Sequence, residues 1–355
     1  MIEHLKQHWS SRLTEEEALE AQTQETQKDA ASVAQTGEEC IKEHTQLPET
    51  KKPAVSVQGR VISELISTLT NDMLIGKQIK SGRLRKRMVE PPWHVPACFT
   101  MTHIDMPDFT MKMLASKENP NMDKVILQLH GGGYMGAVRN AYYVFAGLYN
   151  EVSHGFSVLT PDYRVAPEHP FPAALQDAVA AYRWLLDRGW FGEQIIVAGD
   201  SAGGGLAMAL TMYLRDHDMP LPCGVIAMSP WTDVTASGES YTTNYEKDPL
   251  FGNTRESLIY LNDYAGDHDP MDPYISPLFG DFRHFPPMLI QAGSIEMLLS
   301  DSVDAAAKAR SQGAKVRLSI YEGMFHVFQM AYLNIPESKR AWMEVGKFID
   351  ILCKD

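Results

Sequence analysis

The sequence predicts an α/β fold with a mainly parallel central sheet and helices on both faces. From about Pro91 to the C-terminus, short β-rich runs alternate with helical stretches, which is typical of this architecture. The β-rich runs are almost continuously apolar, as expected of parallel strands that helices cover on both sides. The chain has 355 residues, 44% of them apolar, so it is long enough to bury a large core.

Six apolar runs predict the strands of this sheet, and four stretches with apolar residues at helical spacing predict its helices. The predicted strands are KVILQL from Lys124, FSVLT from Phe156, QIIVAG from Gln194, GVIAMS from Gly224, MLIQAG from Met288 and VRLSIY from Val316. The predicted helices are AALQDAVAAYRWLL from Ala173, GGGLAMALTMYL from Gly203, SVDAAAKARSQ from Ser302 and ESKRAWMEVGKFIDIL from Glu337.

The region before the sheet has a different composition. Residues 1–50 are rich in Glu, Gln, Lys and Ala and poor in large apolar residues, which predicts a polar extension. Thr14 and Glu17 are spaced as a capping box, so we expect a helix to open between them. The run VISELISTLTNDML from Val61 predicts an amphipathic helix packed on the core. The basic run KSGRLRKRM from Lys80 is interpreted as a solvated helix end, with contact to an anionic surface as the alternative.

The composition excludes several classes of protein. The net charge of −13 would repel the phosphates of a nucleic acid, so we expect no nucleic-acid partner. The four cysteines, Cys40, Cys98, Cys223 and Cys353, lack the short paired spacings of a zinc or redox site, which fits a reducing compartment. Neither a signal-peptide pattern nor an apolar run of about eighteen residues is present, so we expect a cytoplasmic protein without membrane insertion.

The motif GDSAGG, residues 199–204, carries the clearest chemical signal. It lies directly after a predicted strand and directly before a predicted helix, which is the context of a nucleophile elbow. Small residues at Gly199 and Gly203 let the two elements approach, and the helix N-terminus behind Ser201 favours developing negative charge. The alternative for the string alone is a plain glycine-rich turn.

The motif HGGGY, residues 130–134, follows the predicted strand KVILQL. Successive glycines expose backbone N–H groups, which can stabilise the oxyanion of a tetrahedral intermediate. We predict Gly132 and Gly133 as donors together with the N–H of Ala202, and Gly131 as a geometric helper. His130 is interpreted as a residue that organises the loop and not as a base. The alternative is a flexible loop after a strand.

A serine nucleophile needs a histidine base, and in this type of fold the chain order is serine, acid, histidine. His326 lies in YEGMFHVF, a loop after the last predicted strand, where the base is expected. The earlier His217, His268 and His284 lie in polar or proline-flanked loops and are weaker candidates. The alternative for His326 is a packed core imidazole.

The acid should follow the penultimate strand, where MLIQAGSIEMLLSDS supplies two carboxylates, Glu296 and Asp301. Glu296 lies three residues past Gly293, on the loop that leaves the strand. Asp301 lies where the next helix begins, so it could equally be the helix N-cap. We predict Glu296 as the acid, since a carboxylate there would hold the imidazole in the required tautomer.

Five motifs in this order resemble the hormone-sensitive-lipase-like family of esterases: HGGGY, DYRVAPEHPFPAAL, GDSAGG, SPWTDVT and GMFHVF. The resemblance covers the chain from about Lys124 to the C-terminus and implies the α/β-hydrolase fold. It also implies that Ser201 is the nucleophile, His326 the base, and the glycine-rich loop the oxyanion hole. The family usually has Asp in a D-P-L string as its acid, whereas the matching string here is Glu296, Met297 and Leu298.

The resemblance also implies a helical cap over the site. The run from Val61 to Lys80 and part of an insertion at about 232–275, predicted to carry one or two helices, would form it. We therefore divide the chain into a polar extension at 1–50, cap helices and lead-in at 51–110, and a catalytic domain at 111–355. In DYRVAPEHPFPAAL, the charged residues Asp162, Arg164 and Glu168 are interpreted as buried ion pairs that shape a loop.

The predicted function is a carboxylic ester hydrolase that cleaves short-chain esters through a Ser201–His326–Glu296 triad and an acyl-enzyme. Its partner would be a small-molecule ester, and no cofactor or metal is needed. Alternatives are an acyltransferase or amidase with the same triad, and a non-catalytic small-molecule binder on the same fold. Binders of that kind can lose the histidine, which this chain retains. The sequence leaves a homo-oligomer open.

Overall fold

The computed structural model describes residues 55–72, 90–255, 257–332 and 334–354. Three predicted segments lie outside the described residues: the polar extension at 1–50 with its helix, the end of the amphipathic run, and the basic run from Lys80. The predicted division into domains therefore stays a prediction. None of the helices in the described ranges has the length and apolarity that crossing a membrane requires.

The centre of the fold is an eight-stranded sheet, with the strands in the order β1-β2-β4-β3-β5-β6-β7-β8. The strands are β1 Phe99–Asp105, β2 Thr110–Ser116, β3 Asn121–Leu129, β4 Phe156–Asp162, β5 Ile195–Asp200, β6 Gly224–Met228, β7 Met288–Gly293 and β8 Val316–Tyr321. β2 pairs antiparallel with β1 and β4, and every other pair is parallel. All six predicted strands are present, and the predicted mainly parallel sheet is confirmed.

Seven helices lie in the described ranges: α1 Val57–Asp72, α2 Asn140–Val152, α3 Ala173–Asp187, α4 Ala202–Asp216, α5 Ser240–Thr243, α6 Leu299–Ser311 and α7 Pro336–Leu352. α3 packs against α4 and α2 packs against α7, with helices on both sides of the sheet. The four predicted helices correspond to α3, α4, α6 and α7. Because the parallel strands all end at one edge of the sheet, the loops after β3, β5, β6, β7 and β8 meet there.

Three elements were not among the strands and helices predicted from the sequence: β1, β2 and α2. α2 buries nine of its thirteen residues, including Tyr142, Phe145 and Tyr149. A helix buried nearly all round has no alternation of polar and apolar faces, so its sequence carries little helical periodicity. The insertion at 232–275 also differs from the prediction, since its described residues contain a single helix, the four-residue α5, and otherwise turns.

Helix α1 confirms the predicted amphipathic helix, although it begins at Val57, four residues before the predicted start. The hydroxyl of Ser56, directly before the helix, accepts a hydrogen bond from the N–H of Gly59 at 2.9 Å, which stabilises the first turn. Ile62 and Ile66 pack against a cluster of buried side chains on the loop after β8: Met324, Phe325 and Phe328, with Ile335 and Ala341 of the following segment. The helix therefore lies beside the loop that carries His326.

Candidate active site

Ser201 lies in the tight turn between β5 and α4. Its φ is +54°, a conformation that L-residues rarely adopt, and the side chain projects where strand and helix meet. A Cβ on Gly203 would overlap the backbone oxygen of Leu129, and one on Gly199 would overlap the backbone oxygen of Gly203. The close approach that the sequence predicted at these two glycines is therefore present, and larger residues would force the turn open.

Ser201, His326 and Glu296 form one hydrogen-bonded chain across three loops. His326 Nε2 lies 2.9 Å from Ser201 Oγ, and His326 Nδ1 lies 2.7 Å from Glu296 Oε2. All three side chains are buried, and Glu296 is completely inaccessible. An ionised carboxylate can only accept, so the imidazole carries its proton on Nδ1 and leaves Nε2 to accept the serine proton. The structure thus brings together the three residues that the sequence analysis selected.

Asp301, the alternative acid, lies away from the histidine. Its carboxyl group accepts backbone N–H groups from Thr232 at 2.7 Å and Asp233 at 2.9 Å, and it bonds Tyr241 Oη at 2.8 Å. Burial raises the pKa of Asp301 to about 8. The N-cap alternative is wrong, because Leu298 occupies that position and Asp301 lies inside the first turn of α6. Asp301 instead fastens the insertion to α6.

The other histidines do not reach the nucleophile. His217, His268 and His284 are exposed, and among the described residues none of them bonds Ser201. His130 is fully buried, its ring stacked on Tyr163 at 4.0 Å between centroids, and its Nδ1 lies 2.8 Å from the Gly131 carbonyl. Burial lowers the pKa of His130, which favours a neutral imidazole. These contacts suit the loop-organising role predicted for it.

The glycine-rich loop after β3 makes a compact turn beside Ser201. Gly132 and Gly133 have φ values of +114° and +63°, and the Gly132 carbonyl accepts the N–H groups of Met135 and Gly136 at 3.1 and 3.0 Å. The N–H groups of Gly132, Gly133 and Ala202 donate to no other described residue. N–H groups that have no acceptor among the described residues are available as donors to an oxyanion.

Gly131 and Asp200 connect this loop to the elbow. The N–H of Gly131 bonds the Asp200 carboxyl group, which Tyr142 Oη also contacts at 3.2 Å. A Cβ on Gly131 would overlap that carboxyl group, so only glycine fits. Burial raises the pKa of Asp200 to about 7, although the nearby His326 imidazole opposes the shift. The sequence analysis missed Asp200; the available signal was a carboxylate at the end of an otherwise apolar strand.

The insertion between β6 and β7 contacts the acid and the base. Phe251 lies with its ring centroid 4.9 Å from that of His326. Asn244 Nδ2 donates to the backbone oxygen of Glu296 at 2.9 Å, and Asp248 Oδ2 accepts the N–H of Met297 at 2.7 Å. The insertion is therefore fixed to the loop of Glu296 and covers one side of the imidazole. No motif in the sequence marked these three residues.

The charged residues at the end of β4 and after it have structural contacts, and a predicted ion pair is present at Arg164. Arg164 forms a bidentate pair with the buried Asp177, with Nη2 2.7 Å from Oδ1 and Nε 3.0 Å from Oδ2. Asp162 accepts the N–H of Val138 at 3.0 Å. Glu168 is exposed, so the predicted burial of this residue is wrong. The pair of Arg164 and Asp177 fixes the loop to α3.

A cavity of about 670 Å³ borders the glycine-rich loop. Gly131 and Gly132 form part of its wall. The other lining residues include five apolar or aromatic ones, Trp93, Met135, Tyr143, Val165 and Leu258, and four charged ones, Glu90, Lys112, Arg139 and Asp162. A larger cavity of about 750 Å³ is lined by Phe171, Trp184 and Tyr213. Ser201, His326 and Glu296 line neither cavity, but residues of the glycine-rich loop line the first and not the second, so we assign only the first to the candidate site.

This fold and this site define the class of serine hydrolases. A family model described as alpha/beta hydrolase fold (Abhydrolase_3) matches residues 126–330, more than half of the chain, and the chain belongs to this family. It is 38% identical to an acetyl-hydrolase of Streptomyces hygroscopicus over 64% of this chain and 75% of the relative. It is 34% identical to an esterase of Acinetobacter venetianus over 67% of this chain and 78% of the relative.

A solved structure titled as an esterase from the bacterial hormone-sensitive lipase family is similar along its entire length. The TM-score is 0.73 at 32% identity, and the match covers 85% of this chain and 100% of the other. These comparisons confirm the predicted α/β-hydrolase fold, the resemblance to hormone-sensitive-lipase-like esterases and the predicted class of activity, serine carboxylesterase.

Proposed function

We propose that Ser201, His326 and Glu296 are the catalytic triad of this carboxylic ester hydrolase, and that an acyl-enzyme forms on Ser201. The observation that carries the proposal is the continuous hydrogen-bonded chain from Glu296 through His326 to Ser201, with both links shorter than 3 Å. Positive backbone φ at Ser201 and burial of all three side chains support it, because a preorganised site holds its groups in place before the substrate arrives.

In the first step, Ser201 Oγ attacks the ester carbonyl carbon while His326 Nε2 takes the hydroxyl proton. The imidazole becomes a cation, which the Glu296 carboxylate stabilises through the Nδ1–H bond. The carbonyl oxygen becomes an oxyanion, and the N–H groups of Gly132, Gly133 and Ala202 are the proposed donors to it. Their positions beside the helix α4 N-terminus add favourable electrostatics.

In the second step, the tetrahedral intermediate collapses. The bond to the alcohol oxygen breaks, and His326 Nε2–H gives that oxygen its proton, so the alcohol leaves and the acyl group stays on Ser201 Oγ. Water then replaces the alcohol: His326 takes a proton from it, the hydroxide attacks the acyl carbon, and Ser201 recovers its proton as the acid leaves. No atom outside the ester, the water and these side chains is needed for this balance.

The proposed substrates are esters with a short acyl chain. The similarity to a protein named acetyl-hydrolase supports a small acyl group. The cavity beside Gly131 and Gly132, about 670 Å³, is far larger than an acetyl group and lies in the range of small-molecule sites of about 300–1,000 Å³. We therefore assign the cavity to the bulkier part of the ester, with Trp93, Tyr143 and Leu258 as apolar contacts.

The cap also belongs to this proposal. α1 packs beside the loop of His326 through Ile62 and Ile66, and the insertion covers the imidazole with Phe251. His326 is buried, and little water around the base strengthens the electrostatic interactions inside the site. We infer that both elements limit the size of the ester that reaches Ser201.

The test combines turnover with covalent labelling. A panel of aryl esters from acetate to a long-chain acyl group is assayed with the native protein and with Ser201→Ala. We expect the variant to lose turnover by a factor on the order of 10⁵ to 10⁶, as when the serine of a comparable triad is removed. An organophosphonate should modify the native protein on Ser201, identified by peptide mass. Full turnover in a folded Ser201→Ala protein would overturn the proposal.

A further inference from the structure

The end of β6 and the segment after it contact Ser201, Glu296 and Val327, the residue that follows His326. β6 lies between β5, which leads to Ser201, and β7, which leads to Glu296, so its C-terminal end meets both loops. The backbone oxygen of Met228 accepts the N–H of Ser201 at 2.9 Å, and the N–H of Trp231 donates to the backbone oxygen of Ser201 at 2.8 Å. Ser229 lies between these two contacts.

Ser229 joins the acid to the histidine loop through one hydroxyl group. Its Oγ lies 3.1 Å from Glu296 Oε1 and accepts the N–H of Val327, the neighbour of His326, at 3.1 Å. The ionised carboxylate has no proton to donate, so the single hydroxyl proton points to Glu296. Ser229 is inaccessible to solvent and has a φ of +45°, which L-residues rarely adopt. Its N–H donates to Gln291 at 2.6 Å, which fixes this conformation.

The two carboxylate oxygens of Glu296 accept hydrogen bonds from different partners. Oε1 accepts the N–H of Gly293 at 2.6 Å and the hydroxyl of Ser229, whereas Oε2 accepts His326 Nδ1–H. Glutamate is longer than aspartate by one carbon–carbon bond of about 1.5 Å and has one more rotatable bond. Two bonds to Oε1, from different elements of the fold, restrict this extra rotation and leave Oε2 directed at the imidazole.

We propose that Ser229 is a positioning residue that orients the Glu296 carboxylate toward His326 and couples the acid loop to the histidine loop. The proposal rests on the triad proposed above. Ser229 itself contacts neither the ester nor the reacting atoms. Its effect should therefore appear in the chemical step, which needs the aligned imidazole, and not in substrate binding.

The test replaces Ser229 in two ways. Ser229→Ala removes the hydroxyl, and Ser229→Gly removes it while also relieving the positive φ, so a folded variant is available even if alanine is strained there. Both should lose kcat by about 10-fold to 100-fold, the scale of one hydrogen bond to a charged group, with KM within about twofold. Retention of kcat within about twofold in both variants would overturn the proposal.

A double-mutant cycle separates positioning from general stability. In a Glu296→Gln background, Ser229→Ala should cause little further loss of kcat, since the carboxylate that Ser229 orients is already gone. If the two losses instead multiply, Ser229 does not act through Glu296 and the proposal fails. Full turnover in Glu296→Gln alone would overturn the proposed acid, and with it the role of Ser229.

Ser153 provides the matched control. It is equally buried, and its hydroxyl also accepts a backbone N–H, from Phe156, and donates to a backbone oxygen, of Asn150, both at 3.2 Å. It lies at the C-terminal end of α2 and bonds no residue of the triad. Ser153→Ala should keep kcat within about twofold. A loss equal to that of Ser229→Ala would show that any buried serine bridge of this type affects turnover, and would overturn the specific role.

Discussion

The nucleophile side and the acid–base side of the site are built in different ways. On the side of the proposed nucleophile, backbone conformation positions Ser201 and the proposed donor N–H groups, through positive φ values and glycines that allow close contact. On the acid–base side, side chains hold the reacting groups: Ser229 and Asn244 bond Glu296 or its backbone, and Phe251 packs on His326. Positioning by backbone conformation needs particular residues at adjacent positions in the sequence. Positioning by side-chain contacts joins residues that are far apart in the sequence.

The largest effect that tests this comparison is expected at the acid. Glu296→Gln should lower kcat by roughly 10⁴, as for the equivalent change in a serine protease triad, because an amide can hold the imidazole in the wrong tautomer. The measurement is kcat for an aryl acetate at a pH where the native protein is most active. The amide retains the size of the carboxylate, so the fold should persist. Near-native kcat in the folded variant would remove Glu296 from the triad.

A smaller effect is expected on the backbone side, at Gly131. In Gly131→Ala the new Cβ would overlap the Asp200 carboxyl group and lie 2.9 Å from the Asp200 backbone oxygen. The loop must shift, which moves the proposed oxyanion donors; we expect kcat to fall about 10²-fold to 10³-fold, the scale of one lost oxyanion donor. Steady-state kinetics with an aryl acetate provide the measurement.

Gly136 is the control in the same loop. Its Cβ would lie 3.4 Å from the nearest atom, the backbone oxygen of Gly132, which is an ordinary contact. Gly136→Ala should therefore keep kcat within about threefold. If both alanine variants lose turnover equally, flexibility of the loop, and not the fit of Gly131 against Asp200, determines the effect.

The same difference explains what the sequence predicted. GDSAGG and HGGGY appear as short motifs because consecutive residues must satisfy one local turn, so Ser201, Gly132 and Gly133 could be selected directly as candidates. Glu296 and His326 were found by their position after β7 and β8, since parallel strands bring those loops to one edge. Ser229 begins the quoted motif SPWTDVT, but its role was not predicted, because its two partners lie 67 and 98 residues away.

The elements of the fold also differ in how well the sequence predicted them. Strands β3 to β7 were predicted because their apolar runs are covered on both faces. β8, at the edge of the sheet, was predicted from its β-rich sequence, although its residues are half-buried or exposed. β1 and β2 form the antiparallel edge and mix exposed with buried positions, so they lack such a run. The insertion was overpredicted as helical, because side-chain carboxylates accept its backbone N–H groups or fix it to the rest of the fold. Asp233 accepts the N–H groups of its neighbours Thr235 and Ser237, and Asp248 accepts that of the distant Met297.

Helix α1 packs against the loop that carries His326, and changes in this helix should affect activity less than the changes above. Replacing Ile62 and Ile66 together by alanine removes contacts with the buried cluster beside His326. Partial burial suggests a loss of about 1–3 kcal/mol in the free energy of unfolding. If α1 limits the pocket, the ratio of kcat/KM for hexanoate over acetate esters should rise severalfold. Chemical denaturation and the two ester assays measure the two effects.

Val61 and Leu65 give the matched control on the exposed side of the same helix. They are 57% and 56% exposed, so Val61→Ala with Leu65→Ala should change the unfolding free energy by less than about 0.5 kcal/mol and leave the ester ratio unchanged. An unchanged ester ratio in the Ile62 and Ile66 variant, beside the expected loss of stability, would show that α1 supports the histidine loop without limiting the pocket.

The smallest effect on turnover is expected at Asp301, the carboxylate that the sequence could not distinguish fully from Glu296. Asp301 does not contact His326, so Asp301→Asn should keep kcat within about twofold. The pKa of Asp301 is about 8 in the folded protein and near 4 in the unfolded chain. Between about pH 4 and 8, the folded protein therefore holds a proton on Asp301 that the unfolded chain has released. An asparagine resembles this protonated acid: its oxygen can accept the N–H groups of Thr232 and Asp233, and its amide can donate to Tyr241.

The pH dependence of stability then separates the two carboxylates. Because folding raises the pKa of Asp301, its unfavourable contribution grows as the pH rises from about 4 to about 8 and is constant above that range. The asparagine does not titrate, so the free energy of unfolding of Asp301→Asn, relative to the native protein, should increase by on the order of 1 kcal/mol per pH unit between pH 5 and 8. Denaturation curves at several pH values measure it. A difference that does not change with pH would mean that Asp301 is ionised in the fold, and a loss of turnover comparable to that of Glu296→Gln would place Asp301 on the acid–base side after all.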